Sequence, residues 1–195
     1  MPLTSTKPET NLSLEQIARR LDRAGIDWAV FAGAAASVYG SPRPLTDVDI
    51  LVPANDGDRA AALFPKATVK REHDGTVCKL ELPGFDILAG LSTMDLDAPM
   101  AARLMRHEIA GVIVPIIPPE DNILLKALWG RGPEEGKHDW QDVQAMLAHL
   151  ATLDWEYLRW RANACVPRQH VERILKRLES LWHQQGKSYT RSHQP

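Results

Sequence analysis

Three aspartates carry the clearest chemical pattern in this chain. Asp47-Val48-Asp49 stands at the head of the apolar run Ile50-Leu51-Val52, and Asp86 sits inside the apolar run Phe85-Asp86-Ile87-Leu88. On a strand, Asp47 and Asp49 project from one face, roughly 7 Å apart along it. Like charges repel there; at about 4 Å and an effective dielectric near 20 the interaction is about 4 kcal/mol. A cation is expected between them, and a divalent metal meets that need. A charge within an apolar strand also needs a partner or a metal. If the strand of Asp86 pairs beside that of Asp49, a carboxylate triad results, with Glu81 as the rival third ligand. Three such carboxylates can hold two Mg²⁺ ions about 3.5–4 Å apart, the geometry for in-line attack on a phosphoryl group.

A second group of residues fits an anion. Gly33 follows the apolar stretch Trp28–Ala32 and reads as a strand-to-helix turn where backbone approaches a phosphate closely. The helix expected from Ala34 would point its free N–H groups at the same anion. Arg43, in the loop before Asp47, is placed to neutralise phosphate. Lys126 interrupts the apolar segment Ile123–Trp129; its ammonium either reaches the same anion or snorkels to solvent, and Asp139 and Asp142 are candidates to orient it or to brace the helices.

These residues need elements to hold them. Ser13 and Gln16 form a capping box ahead of an amphipathic helix bearing Leu14, Ile17, Ala18 and Leu21, ended by Gly25. Strands are expected at Asp27–Ala32, Asp47–Val52, Ala67–Arg71, Val77–Leu82, Phe85–Ala89 and around Val112–Ile117. Asp74-Gly75 marks a hairpin and Pro83-Gly84 a second turn. Short helices are expected at Ala34–Tyr39, at a run capped by Asp56 or Asp58 and ending at Phe64, and around Ala98–Met105. Beyond Pro118-Pro119 the periodicity is helical: Glu120–Trp129, Asp139–Leu150, Asp154–Ala164 and Gln169–Gln184. The organisation read from this is a flexible segment 1–12, a domain 13–118 that carries the three acids, a helical region 119–185 and a disordered tail 186–195.

Bulk properties limit the alternatives. The chain has 195 residues, 44% hydrophobic, with a formal charge of −2. That suits one domain with a helical appendage and argues against a uniformly basic nucleic-acid-binding surface. Cys78 and Cys165 make no disulfide framework and read as small buried hydrophobes in a reducing compartment. The start MPLTSTKPET has no apolar core of a signal, and no apolar stretch approaches the roughly 20 residues of a membrane span. A soluble, cytoplasmic protein without membrane partners is expected. The histidines show no metal-ligand spacing. Trp129, Trp140, Trp155, Trp160 and Trp182 read as interhelical packing.

The pattern Gly33-Ala34, twelve residues, then Asp47-Val48-Asp49 resembles the signature of the nucleotidyltransferase superfamily that includes DNA polymerase beta. More narrowly the chain resembles the minimal AbiEii-type nucleotidyltransferases of toxin–antitoxin systems. The loop Arg43 to Asp49, the run Pro119 to Lys126, and Lys137-His138-Asp139-Trp140-Gln141-Asp142-Val143 carry this, within Leu14–Leu147. The resemblance implies an α+β nucleotidyltransferase fold, a short mixed sheet flanked by helices, followed by a C-terminal helical bundle. It implies metal-dependent transfer of a nucleotidyl group from an NTP to an acceptor hydroxyl on RNA, protein or a small molecule. Asp47, Asp49 and Asp86 would be catalytic and hold Mg²⁺ or Mn²⁺; Gly33, Ala34, Arg43 and Lys126 would bind the nucleotide. A toxin-like role with a cognate antitoxin follows from the same group. Two departures stand out: Ala34 replaces the usual Ser or Gly, and His138 separates Lys137 from Asp139. The first favours an alternative, a nucleotide- or partner-binding module that has lost catalysis.

Overall fold

The computed structural model describes residues 12–187. The expected flexible start, Leu12 apart, and the tail beyond Lys187 lie outside the described residues. Ser13 caps α1 (Leu14–Arg23) through the expected reciprocal box with Gln16, and Leu14, Ile17, Ala18 and Leu21 are buried on one face.

Seven short strands make one mixed sheet: β1 (Ala29–Phe31), β2 (Val48–Val52), β3 (Thr68–Arg71), β4 (Val77–Leu82), β5 (Phe85–Ala89), β6 (Met105–Ile109) and β7 (Val112–Ile116). Their order is β3-β4-β5-β2-β1-β7-β6. The pairs β2–β5 and β1–β7 are parallel, the others antiparallel. Between strands run α2 (Ala32–Val38), α3 (Gly57–Leu63) and α4 (Ala98–Ala101). Then follow α5 (Pro119–Trp129), α6 (Asp139–His149), α7 (Trp155–Cys165) and α8 (Arg168–Gln184). This is the expected α+β architecture with C-terminal helices. One continuous apolar core joins both parts, from Ile17 and Leu21 through Phe31, Ile50 and Ile87 to Leu124, Met146, Leu158 and Trp182. α5 is its hub: Ile123, Leu124 and Leu125 are fully buried, and the helix packs on α2, α6 and α7.

Five local expectations need correction. The helix expected around Ala98–Met105 stops at Ala101, and Met105–Ile109 is the strand β6, absent from the sequence reading. Its hairpin with β7 turns at Ala110 and Gly111, both left-handed (φ 50° and 80°). A two-residue turn of that hand usually advertises itself as Asn-Gly or Asp-Gly, and Ala-Gly does not. The second helix begins at Ala32 rather than Ala34, since the chain bends one residue before Gly33. No side chain caps α3, although Asp56 sits at its N-cap position. Trp160 is 49% exposed rather than packed between helices, and stacks on Tyr157. Lys187, assigned to the disordered tail, instead donates from Nζ to the carbonyl oxygens of Leu147, Ala148 and Leu150 and so caps α6. A lysine at a helix C-terminus meets the unpaired carbonyls and the negative end of the dipole.

Candidate active site

The antiparallel β1–β2 ladder sets Phe31 opposite Asp49, and the parallel β2–β5 ladder sets Asp49 opposite Asp86. Side chains of paired residues share a sheet face, so Asp49 and Asp86 come together. Asp47 joins them from the residue ahead of β2. Carboxylate oxygens of Asp47, Asp49 and Asp86 all lie within 4.8 Å of one another. Burial pushes the Asp49 carboxyl up, and the charges of Asp47 and Asp86 push it further, to about 6, against the opposing pull of Lys137 and Lys126. Three acids held this close, with one of them resisting ionisation, form a site that a cation would relieve. The donor set is oxygen only, which fits hard divalent ions such as Mg²⁺ or Mn²⁺.

The backbone beside the triad is strained at an unexpected place. Ala32, not Gly33, takes the left-handed conformation (φ 53°). A non-glycine residue there persists only when its surroundings hold it. Buried Asn122 of α5 does so, donating from Nδ2 to the Ala32 carbonyl at 3.2 Å. Gly33 has an ordinary backbone within α2 and lines the cleft; a Cβ added to it would meet nothing within 4 Å. Ala34, expected beside Gly33 at the nucleotide, is fully buried and is not among the residues that line the cleft.

Two of the three acids, Asp47 and Asp49, line a cleft that Arg43, Lys126, Arg131 and Lys137 line as well. Lys126 is only 3% exposed. Its Nζ lies 2.8 Å from Asp142 and 3.2 Å from Asp139, so it does not snorkel. Arg131 donates from Nε to Asp139 at 2.8 Å and from its main-chain N–H at 3.2 Å. Burial tends to raise the Asp139 carboxyl, but Arg131 and Lys126 outweigh it and hold the group below its usual range. Arg43 Nη1 and Ser41 Oγ both donate to Asp142, at 3.2 and 2.7 Å. The structure therefore brings Arg43 and Lys126 to the cleft together with Asp139 and Asp142.

Three contributors escaped the sequence reading. Arg131 falls between the expected helices Glu120–Trp129 and Asp139–Leu150, and Asn122 inside the first of them. Lys79 of β4 lies 2.7 Å from Asp86 Oδ2 and 3.0 Å from Glu81 Oε1. Burial works against its charge, yet the bonds to Asp86 and Glu81 raise its pKa overall. The signal was present: a two-residue turn at Pro83-Gly84 pairs Glu81 with Asp86, which places Lys79 on the same face. Glu81 is held by Lys70 and Lys79 and stays outside the triad. A roomier cavity, where α1, the end of α3 and the β4–β5 turn meet, is lined by Leu12, Phe64, Pro65 and Leu82 and carries no acid.

Among the described residues no helix is long and apolar enough to cross a membrane. No curated protein matches the chain by sequence. The antibiotic-resistance factor ANT(2'')-Ia shares the fold: TM-score 0.50 at 14% identity, covering 88% of this chain and 91% of that one. An antigenic nucleotidyltransferase-like protein from Paracoccidioides brasiliensis is 21% identical, covering 85% of this chain and 94% of its own, with a TM-score of 0.42. The lincosamide antibiotic adenylyltransferase LnuA is 13% identical, covering 70% and 97%, with a TM-score of 0.48. Residues 9–183 match the family model described as uncharacterised nucleotidyltransferase, and with nearly its whole length so matched the chain belongs to that nucleotidyltransferase family.

Proposed function

We propose that this cleft moves a nucleoside monophosphate from a nucleoside triphosphate to an acceptor hydroxyl. One observation carries the reading: three carboxylates converge, and two of them line a cleft that four cations line as well. In this reading Asp47, Asp49 and Asp86 hold Mg²⁺ or Mn²⁺. When bound, such an ion neutralises charge on the phosphoryl group and lowers the pKa of the attacking hydroxyl. Gly33 leaves open space over its backbone, which suits a phosphate beside the main chain of Gly33 and Ala34. Arg43, Lys126 and Lys137 attract the triphosphate and stabilise the negative charge of the departing pyrophosphate. Asp86 orients the acceptor hydroxyl and accepts its proton. The acceptor oxygen bonds to the α-phosphorus as the bond to the pyrophosphate oxygen breaks.

The test is incubation with each α-labelled NTP, Mn²⁺, total RNA and total protein. Label transfer with pyrophosphate release is expected from the native chain and not from Asp47→Asn or Asp49→Asn; equal turnover in all three refutes the assignment. The AbiEii resemblance supports a toxin-like role with an antitoxin partner, for which growth arrest on expression alone is the expected outcome. A second reading, a binding module without catalysis, is favoured by Ala34, whose buried methyl offers the cleft no hydroxyl. Nucleotide binding without pyrophosphate release across the acceptors would select it.

A further inference from the structure

The sheet face that carries the triad continues outward across β4 and β3, and charged side chains of alternating sign stand along it. Lys70 of β3 lies 2.6 Å from Glu81 of β4. Glu81 lies 3.0 Å from Lys79 on the same strand, and Lys79 lies 2.7 Å from Asp86 of β5. The pairings Lys70↔Lys79 and Glu81↔Asp86 fix this order through the backbone ladders. These are half-exposed groups, Lys79 at 27% and Asp86 at 25%, so solvent weakens each link without erasing it.

We propose that Lys79 is a positioning residue of the triad, and that the Lys70–Glu81–Lys79 ladder tunes how strongly the three acids hold a divalent cation. The proposal rests on the reading of the triad as a metal site. The Lys79 ammonium takes one oxygen of Asp86 and thereby limits how that carboxylate turns. The same ammonium competes with a metal ion for the negative charge of Asp86. Glu81 competes in turn for Lys79, and Lys70 for Glu81. Removing charges along the ladder therefore shifts metal affinity with alternating sign, while every loss at Lys79 loosens Asp86.

The experiment measures Mn²⁺ binding by electron paramagnetic resonance on the full chain, beside nucleotidyl transfer with Mn²⁺. In Lys79→Met, Mn²⁺ is expected to bind tighter, on the order of tenfold, while transfer slows by about tenfold because Asp86 is no longer held. Glu81→Gln is expected to weaken Mn²⁺ binding, since Lys79 then serves Asp86 alone. Lys79→Arg is expected to restore the native behaviour in both assays. A residue that merely braced the sheet would not tighten metal binding when lost. Lys79→Met and Glu81→Gln moving affinity in the same direction, or Lys79→Met leaving it unchanged, overturns the proposal. Asp49→Asn separates the two levels. If it binds Mn²⁺ as the native chain does, the triad reading falls and the ladder with it. If it binds more weakly but Lys79→Met does not bind more tightly, only the ladder falls. Should Lys79→Met fail to fold, Lys79→Gln gives the same comparison.

Discussion

The two walls of the cleft are built from the same residue type and balanced in opposite ways. On the α6 wall, Asp139 and Asp142 are 1% and 2% exposed, and Lys126, Arg131, Arg43 and Ser41 converge on them. On the β2 wall, Asp47 and Asp49 meet no ion-pair partner among the described residues, and Asp86 meets Lys79 alone. Deeply buried acids are tolerated where cations are supplied by the fold. Acids left short of positive charge, at a cleft that solvent reaches, are groups waiting for a ligand to supply it. In the proposed reading the α6 acids have the structural task of holding cations at the cleft, and the β2 acids the chemical one.

Breaking the contrast on the β2 side should give the largest effect. Asp49→Asn is expected to cut nucleotidyl transfer about 10³-fold. Unfolding in metal-free urea should show stability unchanged or raised, because a repelling buried charge is gone. A variant that loses stability in proportion to activity would count against the division between walls. On the α6 side the reverse is expected. Lys126→Met leaves two buried carboxylates facing each other and should cost about 3 kcal/mol of stability in the same assay, and NTP affinity should fall as well. Asp142→Asn keeps a hydrogen-bond acceptor for Ser41 but weakens the pairing with Lys126 and Arg43; about 1–2 kcal/mol should be lost. Lys137→Ala sharpens the picture at the small end. This exposed lysine reaches Asp49 only through space. Its loss should weaken NTP binding by about threefold and leave the urea midpoint within about 0.5 kcal/mol of native.

The clustering of the acids was legible where it rests on local pattern. The apolar runs after Asp49 and around Asp86 announce strands with acids on them, and the order of the segments announces the family. The capping box at Ser13 and the hairpin at Asp74-Gly75 use the strongest short-range signals available. Legibility ended where geometry comes from distant partners. Ala32 bends because Asn122, ninety positions away, holds its carbonyl; nothing near Ala32 shows this, and the adjacent glycine draws the eye instead. β6 was hidden by a short helix running directly into it and by a turn lacking Asn or Asp. Lys126 reads as a lysine for an anion or for solvent, because Asp139 and Asp142, which hold it, are separated from it by a loop and stand only as candidates to orient it. Arg131 lay in that loop and had no pattern to betray it.

The two-residue link between β4 and β5 has a consequence of its own. Gly84 adopts φ 77° behind Pro83, and its carbonyl receives the N–H of Val48. The link thereby fixes the stagger of β5 against β4 and β2 at once. Because successive side chains point to opposite sides of a strand, one residue inserted between Leu82 and Phe85 that pushed β5 along by a single position would carry Asp86 through the sheet and bring Ile87 or Phe85 out in its place. The spacing of this small bend is thus a combination lock on the chemistry, and its tumblers are peptide bonds rather than acids.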